Sequence, residues 1–179
     1  MNAIAIEPVP LIDVVLESAA WDPAPGAEAA VRRALSEAAI ATGANFKDRA
    51  LAVLLTDDAA MRRLNAQWRN IDKPTNVLSF PPAASAGLAG AVKSLGDIAI
   101  AYQTAAREAG EEGKPFADHL AHLAVHGFLH LLGYDHDSDT AAEQMEQLER
   151  VILARLGVPD PYLTHETLAR EPLPHDIRG

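Results

Sequence analysis

The chain has 179 residues, 49% of them hydrophobic, which suits one domain with a buried core. It has no cysteine, which excludes disulfides, thiolate metal ligands and a cysteine nucleophile, and no apolar run approaches the roughly 20 residues that span a bilayer. A net charge of −10 argues against a general nucleic-acid binder, so any RNA-binding role needs a local basic patch.

The opening MNAIAIEPVPLID lacks a basic n-region and is interrupted by Glu7, Pro8 and Pro10, so no signal peptide is expected and the protein is read as cytoplasmic. Leu11 to Glu17 is rich in branched aliphatics and reads as a strand. After the break WDPAPG, Ala27 to Thr42 carries Val31, Leu35 and Ala38/Ala39 near helical spacing, and Gly43 stops it. Leu51 to Thr56 reads as a buried strand. Asp57 can then cap a helix running to Arg69, with Met61, Leu64 and Trp68 on one face. Asn76 to Phe80, bounded by prolines, reads as a strand, and the small residues of 82–94 read as a mobile loop. Leu95 to Tyr102 is a further strand, followed by a short helix to Ala109 and a turn at EEGKP. Phe116 to Leu132 reads as a helix ended by Gly133, and Asp139 is positioned to cap a last helix reaching Leu156. Four prolines fall in the 22 residues from Val158. The order predicts an α+β fold: a single domain over residues 1–157, with about four strands in a mixed sheet and helices packed on it. Residues 158–179 form a proline-containing tail, loose or packed as extended chain.

Five of the seven histidines lie between positions 119 and 136. In HGFLHLLGYDH, His126 and His130 are one helical turn apart, so their imidazoles share a face and can reach one ion at about 2.0–2.1 Å. Gly133 can take a left-handed conformation, letting the chain turn back and bring His136 to the same ion. Three protein ligands leave one position open, the pattern of a catalytic rather than a structural zinc site. His122 lies on the same stripe, but two helical turns span roughly 12 Å, so either the 122/126 or the 126/130 pair is used. The glycine turn and His136 favour the second. His119 and His122 then read as core or supporting histidines. The spacing H-x3-H-x5-H is also that of metzincin proteases, but the position of their general-base glutamate is Gly127 here.

These residues resemble those of the YbeY family of bacterial endoribonucleases. HGFLHLLGYDH resembles the family signature, LNAQWRNIDKPTNVLSFP from Leu64 a second block, and LGDIAI from Leu95 a third; MEQLE from Met145 and DPY from Asp160 resemble its C-terminal stretch. The similarity spans about residues 50 to 162. One departure is Asn76, where the family often has aspartate. The resemblance implies His126, His130 and His136 as ligands of one zinc ion, or of another divalent transition metal. It implies Arg69 as an arginine needed for activity. It also implies a single-strand-specific, metal-dependent endoribonuclease acting in small-subunit ribosomal RNA maturation and ribosome quality control, with RNA and the small ribosomal subunit as partners and no membrane.

Arg62, Arg63, Arg69 and Lys73 form a basic cluster in an otherwise acidic chain, suited to phosphate or simply to a solvated helix face. Trp68 reads as a core residue or, alternatively, as a stacking platform for a nucleobase. Asp97 and Asp135 read either as orienting partners of histidines or as strand-edge and turn carboxylates. Two other functions remain on this reading: a zinc metalloprotease, and a non-catalytic ribosome-assembly factor with a structural zinc.

Overall fold

Alternation along the strands decides how the sheet is buried. In the computed structural model, which describes residues 8–82 and 91–163, four strands form one sheet: β1 (Leu11–Leu16), β2 (Arg49–Thr56), β3 (Val77–Phe80) and β4 (Lys93–Ala101). The opening stretch to residue 7, most of the predicted loop 82–94 and the tail from residue 164 lie outside the described residues. The strand order is β1-β2-β4-β3; β1, β2 and β4 run parallel and β3 is antiparallel to β4. The predicted α+β class with a four-stranded mixed sheet is what the chain forms.

Leu51, Val53 and Leu55 of β2 join Ile98 and Ile100 of β4 in the main core, while Leu54, Leu78, Ala99 and Ala101 point to the other face. That second face is covered by α2 (Asp58–Arg69) through Met61 and Leu64. The first face carries α1 (Ala27–Thr42) and α4 (Phe116–Leu131), α5 (Asp139–Arg155) packs on these two helices, and α3 (Tyr102–Glu111) leads from the sheet into α4. Alanines 34, 38 and 39 of α1 are fully buried, and their small size lets α1 lie close against α4.

Several boundaries differ from the sequence reading. β2 and β4 each begin two residues earlier than predicted, because backbone pairing of Arg49 with Lys93 and Ala50 with Ser94 continues past the apolar run. The break after β1 holds a 3-10 turn (Ala19–Trp21), whose Trp21 is buried and donates its indole N–H to the Thr56 carbonyl at 2.8 Å. Asp57 caps α2 as expected, accepting from the Ala60 amide at 2.8 Å. The amides of Ala60 and the hydroxyl of Ser18 hold its carboxyl below the usual range. The cap of α5 is Ser138, not Asp139: Ser138 is extended and accepts from Ala141, leaving Asp139 in the first turn where the helix dipole favours an acid.

The sheet is fitted to α4 at one glycine. The β2–β4 register slips between Ala50 and Leu51, so that Leu51 faces Gly96 and Leu95 is an extra residue. Gly96 has φ +119, and a β-carbon there would lie 2.3 Å from the Phe80 carbonyl oxygen and 2.7 Å from Leu131 Cδ2. Only glycine fits this approach of β4, β3 and the end of α4.

Candidate metal centre

Helix α4 has two functional sides. Leu120, Ala124, Val125, Phe128 and Leu129 are buried on the sheet and on α1. His119, His122, His126 and His130 recur at intervals of three and four, so their rings stack along another face. His119 is buried, whereas the other three are half-buried and line an open cleft. The helix closes as the sequence suggests: Gly133 has φ +95, its amide donates to the His130 carbonyl at 3.0 Å, and the Tyr134 amide donates to Leu129 at 3.1 Å. The Asp135 carboxylate accepts from the Asp137 amide at 3.1 Å, tightening the next turn.

That turn returns His136 to the helix. Its ring stacks on His126 with centroids 5.3 Å apart and lies 5.4 Å from His130. His126 Nε2 and His130 Nε2 are 3.0 Å apart, and one nitrogen from each of His126, His130 and His136 lies within 4.8 Å of the others. Three converging imidazoles suit a divalent transition ion, and their convergence is the test of fit such an ion must pass. Burial, followed by the neighbouring rings of His126 and His136, lowers the pKa of His130 and favours the neutral imidazole that a metal needs.

A second group shares His126. Glu149 of α5 has no solvent exposure, and its Oε1 lies 2.5 Å from His126 Nδ1. Its Oε2 lies 3.4 Å from His122 Nε2 and accepts a short hydrogen bond from the Tyr162 hydroxyl. Burial pushes the Glu149 carboxyl up, but the hydrogen bonds from His122, His126 and Tyr162 outweigh it and bring it down to about 2. Burial and the bond to Glu149 raise the Tyr162 hydroxyl. His122, His126 and Glu149 therefore make a second donor group. Sequence reasoning missed Glu149. The available signal was a carboxylate inside the buried stripe Met145, Glu149, Ile152 and Leu153, where an isolated charge would be costly.

The other wall of the cleft is β3 and its flanks. His119 Nε2 is 2.8 Å from Glu108 Oε2, and the Asn76 amide donates to both oxygens of Glu108 at 3.0 and 3.2 Å. The amide at position 76 thus serves this chain in a way a carboxylate could not, because two carboxylates would repel. Arg69 ends α2, is exposed, lines the same cleft as the histidines and has no ion pair among the described residues. The predicted basic cluster is divided: Arg62 is taken by Asp72 in a two-pronged bond at 2.7 and 2.9 Å. A further cation, Lys114, lines the cleft beside Glu112, at 2.6 Å. Asp97 stands exposed on β4 and joins neither donor group; Asp135 does the work of a turn. Trp68 is not a core residue. It is 63% exposed and touches Phe80 edge-on at 5.6 Å, because α2 stops at Asn70 and carries this ring past the edge of the sheet.

Gly127 is more than a missing acid. Its β-carbon would meet Ile98 Cγ2 at 3.1 Å and Ser79 Oγ and Val77 Cγ2 at 3.2 Å, and Ser79 donates to its carbonyl at 2.8 Å. Any side chain at this position would start out toward the sheet rather than toward the three imidazoles.

Fold and site together define a class: an α+β domain in which a helix packed on a mixed sheet carries most of a three-imidazole donor set, with an unpaired arginine across the cleft. The family model described as Endoribonuclease YbeY matches residues 22–157, and the chain belongs to this family of endoribonucleases. An Endoribonuclease YbeY from Rhodopseudomonas palustris (strain BisB18) is 61% identical over 155 residues, covering 86% of this chain and 92% of the relative. One from Bradyrhizobium sp. (strain BTAi1 / ATCC BAA-1182) is 56% identical over 164 residues, 90% of this chain and 97% of the relative. A solution structure from Thermotoga maritima aligns with a TM-score of 0.44 and 22% identity, over 86% of this chain and 100% of the other. Among the described residues, no helix is long and apolar enough to cross a membrane.

Proposed function

We propose that the protein is a zinc-dependent, single-strand-specific endoribonuclease that acts in the cytoplasm on small-subunit ribosomal RNA during its maturation and quality control. The observation that carries this reading is the convergence of His126, His130 and His136, two of which line one cleft with Arg69, an arginine that has no ion pair among the described residues. The name and high identity of the relatives support RNA as substrate.

In this reading His126, His130 and His136 hold the ion. When bound, it supplies Lewis acidity toward a phosphoryl oxygen and lowers the pKa of a water at its open position. Arg69 grips the phosphate and neutralises charge that builds in the transition state. With no ion pair to it among the described residues, both prongs of the guanidinium are available. Trp68, exposed beside it, offers a face for a base of an unpaired strand.

Two readings compete. A metalloprotease needs a base to pass a proton to the leaving nitrogen. Gly127 supplies none, and a β-carbon there would press on Val77, Ser79 and Ile98 at 3.1–3.2 Å. An assembly factor with a structural ion would fill all four coordination positions with protein ligands, whereas three imidazoles leave one open. The test is one panel of single-stranded RNA, the matching DNA and an unfolded protein, each with and without chelator. The expected result is chelator-sensitive cleavage of RNA, none of DNA, which lacks the 2′-hydroxyl, and no proteolysis. Chelator-sensitive proteolysis with inert RNA overturns the reading. Metal-loaded protein that leaves all three intact favours the assembly factor.

A further inference from the structure

We infer that Glu149 and Tyr162 are a positioning pair that fixes which nitrogen of His126 faces the metal, with the chain beyond α5 folded back to hold them in place. This rests on the reading of His126 as a ligand.

An imidazole presents one bare lone pair and one N–H when neutral, and a ligand must present the lone pair. His126 Nδ1 lies 2.5 Å from Glu149 Oε1, which accepts only, so Nδ1 carries the proton. The bare Nε2 then faces His130 Nε2, 3.0 Å away, and the third ring, that of His136. A carboxylate behind a metal-binding histidine both orients the ring and makes it a better donor.

The geometry around Glu149 shows how this carboxylate is kept in a place where water cannot reach it. It stands at 0% exposure in the apolar stripe of α5, and each oxygen is occupied: Oε1 by His126, Oε2 by the Tyr162 hydroxyl and, more distantly, His122. Tyr162 is itself held from three sides. Its amide donates to Asp160 at 2.8 Å, Arg150 binds Asp160 at 3.1 Å, and the Arg150 guanidinium sits 5.1 Å over the Tyr162 ring. The ring edge also meets His122 at 5.9 Å. Residues 158–162 therefore belong to the support of the site: Val158 packs on the core, and Pro161 and Tyr162 line the cleft.

A rival use of the same atoms is a second ion held by His122, His126 Nδ1 and Glu149. It would have to enter between His126 Nδ1 and Glu149 Oε1, which stand 2.5 Å apart, and strip the remaining N–H proton from His126, turning that ring into a bridge between two ions. That direct contact favours the positioning role.

The experiment reads tautomer and affinity separately. In 15N-labelled metal-free protein, imidazole correlation spectra should show His126 protonated at Nδ1, and Glu149→Leu should abolish that preference. Zinc competition against a chromophoric chelator should give one equivalent in each variant. Affinity should fall about 10- to 100-fold in Glu149→Leu, with smaller losses in Glu149→Gln, which keeps an acceptor, and in Tyr162→Phe. Thermal unfolding monitors the fold, and Tyr162→Phe, which removes one oxygen, keeps the test open if the Leu variant unfolds. Wild-type His126 protonated at Nε2, or Tyr162→Phe and Glu149→Gln both with wild-type affinity and tautomer, overturns the pair. A second zinc equivalent lost in His122→Ala overturns it in favour of the bridged site. Wild-type protein that binds no zinc, with the tautomer as expected, instead overturns the ligand reading on which the inference rests.

Discussion

Replacing Gly96 with alanine sets the fit between sheet and helix against a measurable number. The residue sits at φ +119, a backbone region that side chains rarely enter, which costs of order 1–3 kcal/mol. The added carbon would then lie 2.3 Å from the Phe80 carbonyl oxygen and 2.7 Å from Leu131 Cδ2. Leu131 can turn its end away, but Phe80 is paired to Asp97 in the ladder, so its carbonyl moves only if β3 moves. Overpacking of this kind costs about 1–3 kcal/mol. Together the penalty is about 4 kcal/mol, a large share of the roughly 5–15 kcal/mol that keeps a domain folded. At about 2–4 °C per kcal/mol for a chain of this size, Tm should fall by about 8–16 °C. Thermal and urea unfolding of metal-free protein measure it, with zinc stoichiometry recorded below the new midpoint. A loss under about 1 kcal/mol would refute the view that this close approach is fixed, and would mean that β3 yields easily.

Arg69→Ala should lower cleavage of single-stranded RNA by roughly 10²- to 10³-fold while zinc content and unfolding midpoint stay put, since none of the described residues pairs with the guanidinium; wild-type rates would sink its role. Trp68→Ala should weaken binding of an uncleaved RNA by about 1–3 kcal/mol with little change in stability, measured by fluorescence anisotropy; equal affinity would remove the stacking role. Metal-free protein should lose stability in two acid windows. The lowered pKa of His130 means the unfolded chain takes up its proton first, so stability present above 6.5 declines as pH falls through that value. Glu149, brought down to about 2, contributes stability that is present above 4.5 and lost between there and about 2, so urea midpoints in Glu149→Gln should vary less with pH over that range.

Much of the fold could be read in the sequence because periodicity and punctuation agreed. Branched runs between glycines and prolines became strands, and the stripe of α4 with Gly133 behind it located three histidines. Where reading failed, the missing information was tertiary. Trp68 shares helical spacing with Met61 and Leu64, yet nothing in that spacing tells where the sheet ends beneath it. Glu149 lies 23 positions from His126, and only the packing of α5 on α4 brings carboxylate and imidazole together. Choosing between the 122/126 and 126/130 pairs was likewise a local argument. The two groups turn out to share His126 through opposite ring nitrogens, so His122 faces the carboxylate and His130 faces the other imidazoles.

The three imidazoles of the proposed site are also unequally anchored. His126 and His130 ride on a helix whose opposite face is sealed in the core, whereas His136 is exposed, on a turn held by a few backbone bonds. Opening that turn costs far less than unfolding α4, so amide protons of residues 133–138 should exchange with solvent well before those of 124–129. On the proposed ligand set, an ion held there would leave by a hinged path, with His136 swinging out before the helical pair lets go. The speed at which such an ion exchanges would then be a property of a glycine turn rather than of global stability.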